Sequence, residues 1–175
     1  MQTVFLIGYM GVGKTTIGKQ IAERFGWPFV DMDLFIENRY HKTVPDLFAE
    51  KGEDVFRRIE QAVLQEIVQF ENTVVSTGGG APCFFDNMDR MNRTGITVYL
   101  KMPAPELAQR LMACKQERPL LKDKSMEELK QFIADSLEKR EVWYNRASIV
   151  FPASGYPTIH PLVENLIKQI NKKQT

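Results

Sequence analysis

The sequence predicts an α/β fold, a three-layer α/β/α sandwich in which a five-stranded parallel sheet carries helices on both faces. Three observations lead there. Short apolar runs alternate with helix-like stretches along the whole chain, the pattern of strands joined by right-handed helical crossovers. The first apolar run opens into a glycine-rich turn and then a helix, as in sheets that bind ligands at the carboxyl ends of their strands. No low-complexity linker or internal repeat divides the 175 residues, so one domain, 1–175, is expected, large enough to bury a full core.

Val4-Phe5-Leu6-Ile7 has no polar alternation and reads as a strand buried on both faces. From Thr15 to Phe25, Ile17, Ile21 and Phe25 recur at four-residue spacing among Lys19, Gln20, Glu23 and Arg24, which predicts an amphipathic helix. Phe29-Val30 is the second strand, leading into Asp31-Met32-Asp33, and Leu34 to Tyr40 reads as helical. Thr43 caps a short helix, supported by Asp46 at its third position. Phe56, Ile59, Val63, Leu64, Ile67 and Phe70 form a helical stripe over Glu53 to Phe70. Thr73 to Ser76 is the next strand, before Gly78-Gly79-Gly80. A weak helix over Asp86 to Arg93, a strand over Ile96 to Leu100 and a helix from Pro105 to about Ala113 follow. Ser125-Met126-Glu127-Glu128 is a capping box for a helix reaching about Tyr144. Ile149-Val150-Phe151 is the last strand, and Pro161 begins a terminal helix with lysines at its end, where the dipole favours them.

Hydrophobic content of 43% and charged content of 26% are those of a globular protein. A net charge of +1 leaves no basic excess for phosphate-backbone contacts, so no nucleic-acid partner is expected. Cys83 and Cys114 are the only cysteines, too few for a disulfide framework or a metal cluster. The apolar run after Met1 ends at Ile7, too short for a signal peptide, and no stretch reaches transmembrane length. A cytoplasmic address without membrane contact is expected.

Gly8-Tyr9-Met10-Gly11-Val12-Gly13-Lys14-Thr15 matches the phosphate-loop pattern G-x-x-x-x-G-K-T, with a strand before it and a helix after it. That geometry aims backbone N–H groups and a positive dipole end at a phosphate. Gly8, Gly11 and Gly13 let the backbone curl round the anion. Lys14 is expected to bridge the β- and γ-phosphates, and the Thr15 hydroxyl to ligate Mg²⁺. A bound nucleoside triphosphate is the expectation.

Other candidates stand at the strand ends. Asp31 and Asp33, if the chain stays extended, point to one face; one could hold Mg²⁺ through water and the other deprotonate an acceptor hydroxyl. They could equally be a helix cap and its solvated neighbour. Arg57 and Arg58 sit about 100° apart on their helix, so at most one faces a given site. Arg57 is either an exposed ion-pair partner of Glu53 or Glu60, or a guanidinium fork for a substrate carboxylate, braced by Glu60. The three glycines are either a tight turn or bare backbone against a small ligand. Ser76 stands where phosphate-loop proteins usually keep a second Mg²⁺-associated acid, which shifts that duty toward Asp31. The loop from Cys114 to Lys124, with Lys115, Arg118, Lys122 and Lys124, is either solvated or a lid.

Taken together, G-Y-M-G-V-G-K-T-T (8–16), D-M-D (31–33), G-E-D-V-F-R-R-I-E (52–60), S-T-G-G-G (76–80), R-P-L-L (118–121) and K-R-E-V-W-Y-N-R-A (139–147) closely resemble the shikimate kinases, in order and spacing, over almost the whole chain. The resemblance implies a P-loop kinase fold and a monomer that transfers the γ-phosphate of ATP to the 3-hydroxyl of shikimate, with Mg²⁺. It implies that Asp33 binds the acceptor hydroxyls and acts as base, and that Arg57 and Arg140 grip the carboxylate with help from Gly79. Lys14, with Gly11, Gly13, Thr15 and Thr16, belongs to the nucleotide, Arg110 to its adenine, and Arg118 to the phosphates as the lid arginine. Thr15 and, through water, Asp31 belong to Mg²⁺. An acceptor region over about 33–60 and a lid over about 114–124 complete the picture. Two stretches depart from the family: Val142-Trp143 before Tyr144, and Pro152 to Tyr156, where no adenine contact is assigned. The alternative is a gluconate kinase-like enzyme of the same architecture. A GTPase is disfavoured by the lack of D-x-x-G and N-K-x-D.

Overall fold

β1 (Thr3–Ile7) is the centre of the sheet, and Val4 to Ile7 are wholly buried, as its uninterrupted apolar run requires. The computed structural model describes residues 3–113 and 124–174. In chain order the elements after β1 are α1 (Lys14–Phe25), β2 (Phe29–Asp31), α2 (Met32–Tyr40), α3 (Val44–Lys51), α4 (Glu53–Ile67) and β3 (Val74–Ser76). A 3-10 turn (Ala81–Cys83), α5 (Asn87–Thr94), β4 (Gly95–Lys101), α6 (Ala104–Ala113), α7 (Met126–Tyr144), β5 (Ile149–Pro152) and α8 (Ile159–Gln174) follow. The strands lie in the order β2-β3-β1-β4-β5, and every pair is parallel. Five parallel strands flanked by helices is the architecture the sequence predicts.

Register brings the chemistry to one edge. Ser76 pairs with Leu6 on one side and with Asp31 on the other. The carboxyl ends of β1, β2 and β3 therefore finish level, and the phosphate loop, Asp31 and the glycine run leave the sheet side by side. The capping signals hold as read: Thr43 Oγ1 accepts from the Asp46 N–H at 3.2 Å, and Ser125 and Glu128 form a full capping box.

Some boundaries move. α2 begins at Met32, two residues before the predicted start, because the Asp31 carboxylate accepts from the backbone N–H groups of Asp33 (3.1 Å) and Leu34 (3.3 Å). α4 stops at Ile67, short of Phe70. α8 starts at Ile159, which puts Pro161 inside its first turn, where no intrahelical donor is needed.

Candidate active site

At the carboxyl ends of the strands opens a cavity of about 670 Å³, lined by Lys14, Thr15, Asp31, Asp33, Gly79 and Arg110 among others. Gly13, at φ 102°, turns the phosphate loop into α1 in a conformation that a side chain would resist. Lys14 Nζ folds back over the loop and donates to the carbonyls of Gly8 (2.9 Å) and Tyr9 (3.0 Å). Arg110, exposed on α6, donates to the Val12 carbonyl at 3.3 Å, so it stands over the loop at the cavity rim. Gly11, Gly13 and Thr16 line the same space.

The two readings of Asp31 prove compatible. One carboxylate oxygen caps α2, and the other accepts from the Thr15 hydroxyl at 2.7 Å. The expectation that the chain stays extended through Asp33 is corrected: the cap starts the helix at Met32, and Asp33 reaches the cavity from the first turn of α2. Burial raises the Asp33 carboxyl above the usual carboxylate range. The charges of Asp31 and Glu37 add to that, against Lys14 and Arg57. A carboxyl so placed has gained basicity.

Each glycine of the run leaves room for a different charged group. A methyl on Gly78 would lie 2.6 Å from Glu60 Oε1 and 3.0 Å from Asp33 Oδ1. On Gly79 it would lie 3.4 Å from Arg140 Nη1 and from the Gly8 carbonyl oxygen; on Gly80, 2.6 Å from both terminal nitrogens of Arg57. The turn reading is also true, since Ala81 N–H donates to Gly78 O and Cys83 N–H to Gly80 O.

Arg57 is not an exposed ion-pair partner. It is 9% exposed, and its Nη1 donates at 2.8 Å to Glu60, itself 1% exposed. Its Nε and Nη2 share Glu53 Oε1 at 3.3 and 3.2 Å. Arg58 faces solvent on the same helix. Burial raises the Glu60 carboxyl and the Asp33 charge adds to that, while Arg57 pulls it down. Arg140 lies across the run, its guanidinium 5.3 Å from the centre of the Tyr9 ring. The buried Tyr144 donates from its hydroxyl to the Gly79 carbonyl, and burial raises that phenol well above its ordinary range.

A cavity at the phosphate loop thus adjoins the buried Arg57–Glu60 pair across three glycines. The shikimate kinase family model matches residues 10–171. A shikimate kinase of Parabacteroides distasonis is 54% identical over 96% of this chain and 99% of its own length. The chain belongs to the shikimate kinase family. It superposes on the crystal structure of the shikimate kinase of Bacteroides thetaiotaomicron with a TM-score of 0.93, at 47% identity, covering 97% of this chain and 98% of that one. The Acinetobacter baumannii enzyme, solved in complex with shikimate, gives 0.88 at 32% identity, covering 99% and 94%.

As a shikimate kinase family member the chain is a kinase, and its donor groups fit the ion such a kinase uses. Among the described residues no group of three or more His, Cys, Asp or Glu could hold a metal. Thr15 and Asp31 together supply one hydroxyl and one carboxylate. That sparse set suits Mg²⁺, which is usually bound through one or two protein oxygens and substrate phosphates. Arg118 and the rest of 114–123 lie outside the described residues, so the lid expectation rests on sequence. Phe84, Tyr9 and Tyr144 are the site neighbours that sequence reading missed. The aromatic pair after the glycine run was the one visible signal for Phe84.

Proposed function

We propose that this chain transfers the γ-phosphoryl group of ATP to the 3-hydroxyl of shikimate, giving shikimate 3-phosphate and ADP. The observation that supports it most is the glycine run, which sets a cavity at the phosphate loop against Asp33, Arg57 and Arg140. A carboxylated ring bearing hydroxyls matches two arginines and one acid; an uncharged polyol offers no carboxylate to the Arg57 donors that Glu53 and Glu60 leave over.

Lys14 and the backbone of Gly11, Gly13, Thr15 and Thr16 bind the phosphates, with Arg110 against the adenine side. Arg57 and Arg140 grip the acceptor carboxylate and Gly79 steadies it. Asp33 orients the acceptor hydroxyl and takes its proton as the oxygen bonds to the γ-phosphorus and the bond to the β–γ bridging oxygen breaks. Mg²⁺, when bound, offsets charge on the phosphates, and Thr15 and, through water, Asp31 would hold it. Arg118 reaches the phosphates from a lid over about 114–124, and the acceptor region spans about 33–60 of one kinase domain, 1–175. A cytoplasmic monomer goes with this reading; among the described residues no helix is long and apolar enough to cross a membrane.

The test is coupled ADP release with shikimate, quinate, gluconate and AMP as acceptors. Turnover with shikimate well above the other three is expected. Preference for gluconate would move the chain to another acceptor class.

A further inference from the structure

Phe84 has no assigned part in the chemistry above, yet its ring is the nearest aromatic surface to the Arg57 guanidinium, at 4.3 Å. Phe56 and Phe48 stand further off, at 5.5 and 5.6 Å. The turn that presents Phe84 is braced from several sides. Cys83 N–H donates to Gly80 O at 2.9 Å, and Asn87 N–H to Phe84 O at 3.3 Å. The wholly buried Asn87 side chain donates to Ala81 O at 2.9 Å. The next residue, Phe85, is held at φ 52°, a left-handed conformation unfavourable for an aromatic residue, with its own side chain 48% exposed. The chain thus spends strain at Phe85 while Phe84 is turned in against the cation.

Arg57 needs such a constraint. A guanidinium has five N–H donors, and among the described residues three are drawn to Glu53 and Glu60. Both acids sit on its own helix and compete with any external carboxylate for the fork. With the guanidinium carbon over the Phe84 ring at 4.3 Å, the ring restricts the swing of the group without taking any of its N–H donors. It also favours the cation electrostatically in a desolvated setting.

We propose that Phe84 is a positioning residue: it holds the Arg57 fork in the plane from which it meets the carboxylate of the acceptor. This rests on the acceptor reading given above. The experiment is a double-mutant cycle, with shikimate and ATP Kd measured by calorimetry for wild type, Phe84→Leu, Arg57→Ala and the double variant. Phe84→Leu should weaken shikimate by about 3–20-fold, the range of a partly desolvated cation–π contact, and leave ATP unchanged. In the Arg57→Ala background the same change should be nearly silent. Phe84→Tyr, which keeps the ring face, should bind shikimate like wild type. Equal losses in both backgrounds would make Phe84 a packing residue and overturn the proposal, as would no loss at all or a loss shared by ATP. If Arg57→Ala itself leaves shikimate binding intact, the acceptor reading fails and takes this one with it. If Arg57→Ala weakens shikimate and Phe84→Leu does not, only the role of Phe84 falls.

Discussion

Asp33 brings an ionisable carboxyl into a half-buried place beside Asp31 and Glu37, and stability should record it. Its carboxyl titrates higher in the folded chain than in the unfolded one, where about 3.9 is ordinary. The folded state therefore holds that proton more tightly, and stability falls as pH rises from about 4 through the folded value. Above that value the ionised group is a standing cost. Asp33→Asn should accordingly raise the melting temperature at pH 7, with the gain fading toward pH 4, while kcat falls about 10²-fold, a common range for a general base. Melting curves at both pH values check the sign, and a lower melting temperature at pH 7 would refute it. At Arg57 the issue is shape and not charge. Arg57→Lys keeps the cation and loses the planar fork, so shikimate binding should weaken by about 1.5–3 kcal/mol while ATP binding holds. Arg58→Lys, exposed on the same helix, is the control for calorimetry; equal effects would misplace the acceptor pocket. Spacing placed Arg57 and Glu60 within reach of each other but could not show that both are buried. An i,i+3 pair looks alike in sequence whether it faces water or a core.

The close seating of α1 on the sheet depends on Gly18. A glycine inside a helix normally costs about 0.5–1 kcal/mol relative to alanine, so Gly18→Ala should stabilise on propensity alone. Here the added methyl would fall 2.5 Å from Phe29 Cε2 and 3.0 Å from Leu6 Cδ1, and Leu6 is wholly buried. Overpacking of that kind costs about 1–3 kcal/mol, so the clash should win. The expected outcome is a net loss of about 1 kcal/mol in urea unfolding; a gain would mean that the helix moves aside freely. Elements with strong periodicity or apolar runs, such as α1, α4 and β1, were plain in the sequence because burial dictates those patterns. The start of α2 was not, since it turns on which way one aspartate side chain bonds. The turn carrying Phe84 was equally hidden, being fixed by Asn87 and by tertiary contact with Arg57.

At the scale of the molecule, the strand made first is the one placed centrally. β1 pairs with β3 and β4, so Val4 meets Val74 and Ile96, partners far along the chain. Long-range parallel pairing of this kind forms slowly, because loop closure precedes any reward. It also orders biosynthesis. Chains are made from the amino end, so Val4 to Ile7 must leave the ribosome with neither neighbour yet available. The phosphate loop, whose shape depends on the end of β1, cannot be set until much of the chain exists. A fragment ending at Thr94 lacks β4 and β5 and should be rapidly digested by protease, without protection by ATP. Resistance in that fragment would show that three strands suffice. For a nascent chain the apolar run Val4-Phe5-Leu6-Ile7 is therefore an interval of exposure, a segment whose safety is a matter of timing before it is one of stability.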